Sequence, residues 1–246
     1  KMVAASTSGV VTRTVADSAA ALDVLSVLDR GAWNVAPPPE RPFTSEVGAA
    51  PGRLRIRVTE TNALGIPVDD SCAEAVQRTA ALLEELGHEV LTEAPEWPDP
   101  GQFLTGFLTI WSTIAAGIPG LDPDKMQPHN KANWEAAQAT SSIAFTEAEM
   151  LLQVLSRDLI AQFDGIDVLV TPTMAVEPPK VGSIWEGMDE EPGAPLVNAT
   201  PMAAYTAMFN VTGQPAISLP LHMSETGLPV GVQFAAGPWQ EAPLIR

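Results

Sequence analysis

A chain of 246 residues with 46% hydrophobic content can bury a substantial core, as one large or two small domains. Its 13 basic against 30 acidic residues give a formal charge of −17, which disfavours nucleic acid and anionic membrane as partners. The single cysteine, Cys72, excludes an intrachain disulfide and a zinc cluster, reads as a small apolar helix residue, and points to a reducing, cytoplasmic setting. No apolar run approaches the ~20 residues of a membrane span. Lys1–Ala5 lacks the apolar core of a signal peptide.

Along the chain, Val15, Ala19, Leu22, Leu25 and Leu28 recur at helical period after Thr14, which stands at capping-box spacing from Asp17, so residues 14–28 are expected to form a helix. Pro37, Pro38, Pro39, Pro42 and Pro51 mark 31–52 as an extended surface connection. Leu54–Val58 reads as a strand. Ser71 and Glu74 repeat the capping-box spacing ahead of an apolar stripe (Cys72, Ala75, Val76, Leu82, Leu83, Leu86) that Gly87 ends, and Glu89–Thr92 is a second strand. Strand, helix and strand in this order imply parallel pairing through a right-handed crossover.

Phe103–Ala116, including Trp111, is expected to be helical. Thr146 and Glu149 give a third capping box, followed by an apolar side of Leu151, Val154, Leu155, Leu159 and Phe163. Val168–Val170 is a short buried strand suited to a sheet centre, and residues 174–201, rich in Pro, Gly and acid, read as a second surface connection. A turn-forming Asn210-Val211-Thr212-Gly213 leads into the apolar run Ala216–Leu221, and a Ser/Glu/Gly loop joins this to Val230–Phe234, giving an antiparallel hairpin. Gly213 is expected to have a positive φ or a close backbone neighbour. Val168–Thr171 and Ala216–Leu219 are expected as parallel neighbours inside one sheet. The fold class is α/β, a mixed, largely parallel sheet flanked by helices.

Catalytic residues are hard to find. A Ser-His-Asp hydrolase usually presents its serine in Gly-x-Ser-x-Gly, and no such pentapeptide occurs. His88, His129 and His222 are scattered without metal-ligand or base spacing, and read as structural or solvent-facing. The tandem pair Ser141-Ser142 lacks the glycines whose N–H groups would form an oxyanion hole, and reads as polar loop. Asp189-Glu190-Glu191 reads as a solvated patch. No phosphate loop, metal cluster or cofactor motif is found, and none is expected to be bound.

Segments in order resemble the amidase-signature hydrolases: Gly9-Val10-Val11-Thr12-Arg13-Thr14-Val15-Ala16-Asp17, with Val10 in place of the usual proline; Leu86–Val90; Phe145–Glu149; Asp167–Thr173; and Phe209–Pro220 followed by Gly227–Gln233. The resemblance implies hydrolysis of a non-peptide C–N amide bond, through a deprotonated lysine, a second serine and a nucleophilic serine set in a Gly-Gly-Ser-Ser-Gly-Gly-like segment. This chain has no Gly-Gly pair, so no catalytic residue carries over. The resemblance places all three upstream of Lys1 and makes residues 1–246 one incomplete, inactive domain.

The remaining contribution would be pocket wall. Thr171, Thr173 and Met174 end one strand and Phe209, Asn210, Gly213 and Gln214 precede another, positions where open α/β sheets present ligand-facing loops. A shared pocket requires the intervening chain to fold back over the sheet. Trp111 and Trp134 are candidates for its entrance, and Arg13 for a structural ion pair near the missing segment. A small amide is the expected partner, with the missing N-terminal half or a homo-oligomer as protein partners. The rival readings are a noncatalytic ligand-binding or regulatory protein, and a subunit completed by a separate catalytic chain. The glutamyl-tRNA amidotransferase subunit shares the family, but −17 opposes a tRNA-associated role.

Overall fold

The computed structural model describes residues 6–32 and 34–246, so the reading of Lys1–Ala5 lies outside the described residues. Arg55–Val58 (β1), Glu89–Leu91 (β2), Val168–Pro172 (β3), Ala216–Met223 (β4) and Pro229–Ala236 (β5) pair into one sheet ordered β2-β1-β3-β5-β4. β1 pairs in parallel with both β2 and β3, while β5 runs antiparallel to both β3 and β4. The first four strands therefore share one direction. The hairpin forms as its short connection dictates, and β4 runs the same way as β3.

The expected adjacency of β3 and β4 does not occur, because β5 lies between them. Burial explains the choice. Val230, Val232, Ala235 and Ala236 are all buried, which suits β5 to the sheet interior, whereas Ala216, Ser218 and Pro220 of β4 are exposed. Pro220 also lacks the N–H a central strand would need, and the ladder shifts register between Leu219 and His222.

The helices are Val15–Leu25 (α1), Asp70–Glu85 (α2), Pro100–Ala116 (α3), Pro128–Ala139 (α4), Ser142–Ala161 (α5), Ala194–Ala203 (α6), Thr206–Thr212 (α7) and Glu241–Ile245 (α8). Thr14 caps α1 as expected, its Oγ1 accepting from the Asp17 N–H at 3.1 Å, although the helix stops at Leu25. The second expected cap does not form. Asp69 is the N-cap of α2, without a side-chain cap bond, and its carboxylate instead accepts from the Glu177 N–H at 3.0 Å.

α5 begins four residues before Thr146. Ser141 is its cap, accepting from the Ala144 N–H at 3.1 Å, while Thr146 lies inside the helix and donates to the Ser142 carbonyl. The tandem serines are thus a helix start rather than free loop. α4 and α6 were not expected, and α6 occupies the end of the 174–201 segment with Pro195 in its first turn, where a missing N–H costs nothing. The turn-forming run before β4 is the end of α7, and Gly213 closes it with φ 74°.

Two layers sandwich the sheet. On one face, Cys72, Ala75 and Val76 of α2 pack on Ile56, Val58, Val168, Val170 and Val232, and burial raises the Cys72 thiol pKa. On the other, α3, α5 and α7 share a cluster containing Phe103, Ile110, Leu152, Leu159, Met208 and Val211. All five residues of β3 are buried, as a strand covered on both faces requires.

The proline-rich 31–52 segment is not wholly superficial. Phe43 packs with Ala19 of α1 and Ile245 of α8. The Glu46 side chain is 4% exposed and receives Arg41 (2.6 and 2.5 Å) and Arg246 (2.7 Å). These charge-assisted bonds, Arg41 first, hold its carboxyl at about 2 against an ordinary 4.5. A depressed acid stabilises the fold fully above its unfolded pKa and loses that contribution as pH falls toward the folded value. Stability should therefore decline between about pH 5 and pH 2. Glu46→Gln should flatten that limb, and urea midpoints across the range, with parallel slopes for both proteins, would disprove the assignment.

Candidate functional site

The C-terminal end of β3 is a tightly bonded corner. Thr171, 1% exposed, faces Gln233 across the ladder, and the Gln233 Nε2 donates to its Oγ1 at 3.1 Å. One residue beyond the strand, the Thr173 N–H donates to the Gly231 carbonyl, and its hydroxyl meets the Ser218 hydroxyl at 2.6 Å. This bridge passes over Gly231, where an added Cβ would sit 2.8 Å from both oxygens. Glycine is required for close approach rather than for a special φ. Met174 is half-buried, and Ala175 is fixed by bonds with Pro201 and Asp69.

The second group of expected site residues sits at the opposite end of the strands. Phe209, 4% exposed, packs on Leu169 and Ala235, and Gln214 donates from Nε2 to the Ala236 carbonyl at 2.8 Å. Ala236 is the partner of Val168, the first residue of β3, whereas Thr171 and Thr173 lie at its far end. The fold brings Thr171, Thr173 and Met174 together. It brings Phe209, Asn210, Gly213 and Gln214 together separately, with Phe209 and Gln214 spent on internal contacts and Asn210 half-buried.

Sequence reasoning missed an open groove of about 780 Å³ beyond the C-terminal end of β4, lined by the start of α2, Glu177 and the β4–β5 turn. It contains none of the expected site residues. Asp69, Asp70, Glu74, Glu177 and Glu225 face Arg78 and His222 there. The Thr226 hydroxyl, donating at 2.9 Å, lowers the Glu177 carboxyl pKa. These groups are 108 residues apart in the chain for the Asp69–Glu177 pair, so no local motif could reveal them.

Trp111 belongs to an aromatic row. The His129 ring lies 6.3 Å from Trp111 and 6.1 Å from Trp185, tying α3 and α4 to the segment before α6. His129 Nδ1 is 3.2 Å from the Pro192 carbonyl and Nε2 is 3.2 Å from the Asn133 amide, an arrangement satisfied by the Nδ1–H tautomer. Trp134 is half-buried on α4. His88 accepts from the Leu54 N–H through Nδ1. Arg13 is exposed and makes no ion pair among the described residues.

The Amidase family profile matches residues 3–245, nearly the full length of the chain. The chain belongs to the amidase family. It is similar to the 6-aminohexanoate-cyclic-dimer hydrolase of Pseudomonas sp. (strain NK87), 33% identical over 97% of this chain and 51% of that protein. It is likewise similar to the putative amidase AmiC of Mycobacterium leprae (strain TN), 34% identical over 97% of this chain and 50% of the relative. The solved 6-aminohexanoate cyclic dimer hydrolase superposes with a TM-score of 0.83 at 32% identity, over 95% of this chain and 52% of the other. A bacterial aryl acylamidase, at TM-score 0.74 and 21% identity, shares the fold, covering 95% of this chain and 50% of its own. This amidase-family chain spans about half the length of the curated relatives it matches. No helix among its described residues is long and apolar enough to cross a membrane.

Proposed function

We propose that the chain is the scaffold portion, a single incomplete domain, of an amidase that hydrolyses a C–N bond of a small non-peptide amide by serine acyl transfer. The match of residues 3–245 to the Amidase family over only half the relatives' length is the observation that carries this reading. In the proposed reaction a serine oxygen from polypeptide outside this chain attacks the amide carbonyl, the C–N bond breaks as the amine takes a proton, and water then releases the acid. The close hydroxyl pair Thr173–Ser218 does not substitute for that nucleophile, since neither oxygen is bonded to a lysine or histidine among the described residues.

In this reading the chain contributes wall. Thr173 and Met174 keep exposed surface for a substrate at the C-terminal end of β3, a corner that Thr171 holds in place, while Phe209, Asn210, Gly213 and Gln214 belong to the opposite end of the sheet. The partners are a small amide and the polypeptide bearing the nucleophile, in a cytoplasmic setting, with neither nucleic acid nor membrane involved. The isolated chain should neither react with a fluorophosphonate probe nor turn over an aryl amide. Stoichiometric labelling of one serine, with turnover lost on its replacement by alanine, would overturn the proposal.

A further inference from the structure

The groove beyond the C-terminal end of β4 holds polar atoms that its internal bonds do not use. Some of its acids are accounted for locally. Asp69 and Asp70 stand at the start of α2, where carboxylates offset the helix dipole, and Asp69 also receives the Glu177 N–H. Glu74 accepts twice from Arg78 on Oε1, whereas its Oε2 accepts no hydrogen bond among the described residues.

Two further atoms set this groove apart from a solvated acidic patch. The His222 side chain is only 9% exposed yet makes no hydrogen bond among the described residues; Glu74 Oε2 stands 3.7 Å from its Nε2, too far to bond. Ser71 Oγ, in the first turn of α2, is buried beside the groove and has no hydrogen-bond partner within bonding distance. After the Thr226 bond, its nearby hydroxyl adds to the lowering of the Glu177 pKa. A buried polar atom left unpaired costs about 1–3 kcal/mol, so two of them beside one groove point to something that enters it.

The unused atoms select the ligand. Glu74 Oε2, a neutral His222 nitrogen and Ser71 Oγ are all acceptors with carboxylates around them, so the ligand brings donors and positive charge. A metal ion does not fit, because no three His, Cys, Asp or Glu side chains among the described residues are placed to hold one. A primary ammonium carries three N–H donors that reach separate acceptors. The volume of about 780 Å³ admits a small molecule, and Leu221 and Met223, 44% and 58% exposed, line it with apolar surface for a carbon stem. The wall is preorganised: the Ser224 N–H bonds to the Leu228 carbonyl, its hydroxyl meets that of Thr226 at 2.7 Å, and Thr226 donates to Glu177.

We propose that this groove binds a primary alkylammonium, its head between Glu74 and His222 and its stem over Leu221 and Met223. The site contains none of the wall residues of the proposed amidase reaction and does not rest on that reading. Histidine makes binding conditional on pH. Neutral imidazole accepts from the ammonium, whereas imidazolium turns to Glu74 and repels it. The other charged groups around the ring are Asp69, Asp70, Glu74 and Arg78 at α2, Glu177 after β3 and Glu225 in the β4–β5 turn. Carboxylates and guanidinium groups ordinarily titrate outside the histidine range, so loss of binding there reports His222.

The test titrates the isotope-labelled chain with butylammonium chloride at constant ionic strength, followed by NMR. Saturable shifts are expected at Ser71–Glu74, Glu177 and His222–Thr226, with a dissociation constant of about 1 mM that weakens about tenfold on acidification through the histidine range. His222→Phe, which keeps a ring without its nitrogens, and Glu74→Gln should each weaken binding about tenfold. Glu74 is half-exposed on a helix, so its variant carries the test if His222→Phe does not fold. Glu190→Gln, an exposed acid outside the groove, should change nothing. Equal shifts from butanol, shifts without saturation or spread over the acidic surface, affinity untouched by both groove variants, or tighter binding of magnesium at the same residues would each overturn the proposal.

Discussion

Replacing Gly231 with alanine should cost about 2–4 kcal/mol, read as a large fall in the urea midpoint with an unchanged slope. The new methyl would lie 2.8 Å from Thr173 Oγ1 and Ser218 Oγ and 3.2 Å from Thr173 Cβ, distances at which something must move. Neither neighbour is a flexible tip. Thr173 is branched at Cβ and its N–H is held by the Gly231 carbonyl, while Ser218 is held in the β4–β5 ladder. In a Thr173→Ala background the nearest oxygen on β3's side is gone, so the same glycine substitution should cost distinctly less. Equal losses in the two backgrounds would show that the hydroxyl bridge is not what excludes the methyl.

The second large effect lies between α3 and α5. Leu152 is 1% exposed, and Leu152→Ala should lose about 2–5 kcal/mol through transfer and cavity terms. Gly106 of α3 faces it so closely that an added Cβ would come within 3.0 Å of the Leu152 Cγ and Cδ2. Alone, Gly106→Ala should therefore lose to crowding most or all of the ~1 kcal/mol of helix propensity it would otherwise gain. Beside Leu152→Ala, the same methyl enters vacated space and should restore about 1 kcal/mol or more. A double-mutant cycle by urea denaturation decides the matter, and strictly additive effects would rule out the proposed contact.

What the sequence made legible was local. Thr14 and Asp17 are three residues apart and make their cap; Gly213 ends a helix with the expected positive φ; a short loop between apolar runs makes the β4–β5 hairpin. Helix starts failed where a competitor outside the spacing rule won. Asp69 takes the cap position of α2 while its carboxylate serves Glu177, and Ser141 starts α5 ahead of the better-looking Thr146. α6 was masked by a proline-rich composition that its first turn tolerates.

Strand order was not legible, because alternation records which faces are buried, not which neighbour covers an edge. The candidate site suffered for the same reason. Thr173 and Asn210 stand near strand termini in sequence, but two strands running in one direction put those termini at opposite ends of the sheet. The acidic groove went unseen because its members come from separate parts of the chain.

The placement of β5 between β3 and β4 also dictates an order of events in folding. β1, α2, β2 and β3 can assemble from parallel contacts alone, yet β3 then has an open side until residues 229–236 arrive, some sixty positions later in synthesis. Val168 waits for Ala236, and Thr171 for Gln233. The β4–β5 hairpin closes quickly by comparison, since its ends are neighbours in the chain. The pairing of β1 with β3, which joins Ile56 to Val168, closes the longest loop in the sheet and is the natural candidate for the rate-limiting step; docking of the preformed hairpin onto the waiting strand closes a shorter one. Until it occurs, the apolar side of β3 is the surface a chaperone would have to shield.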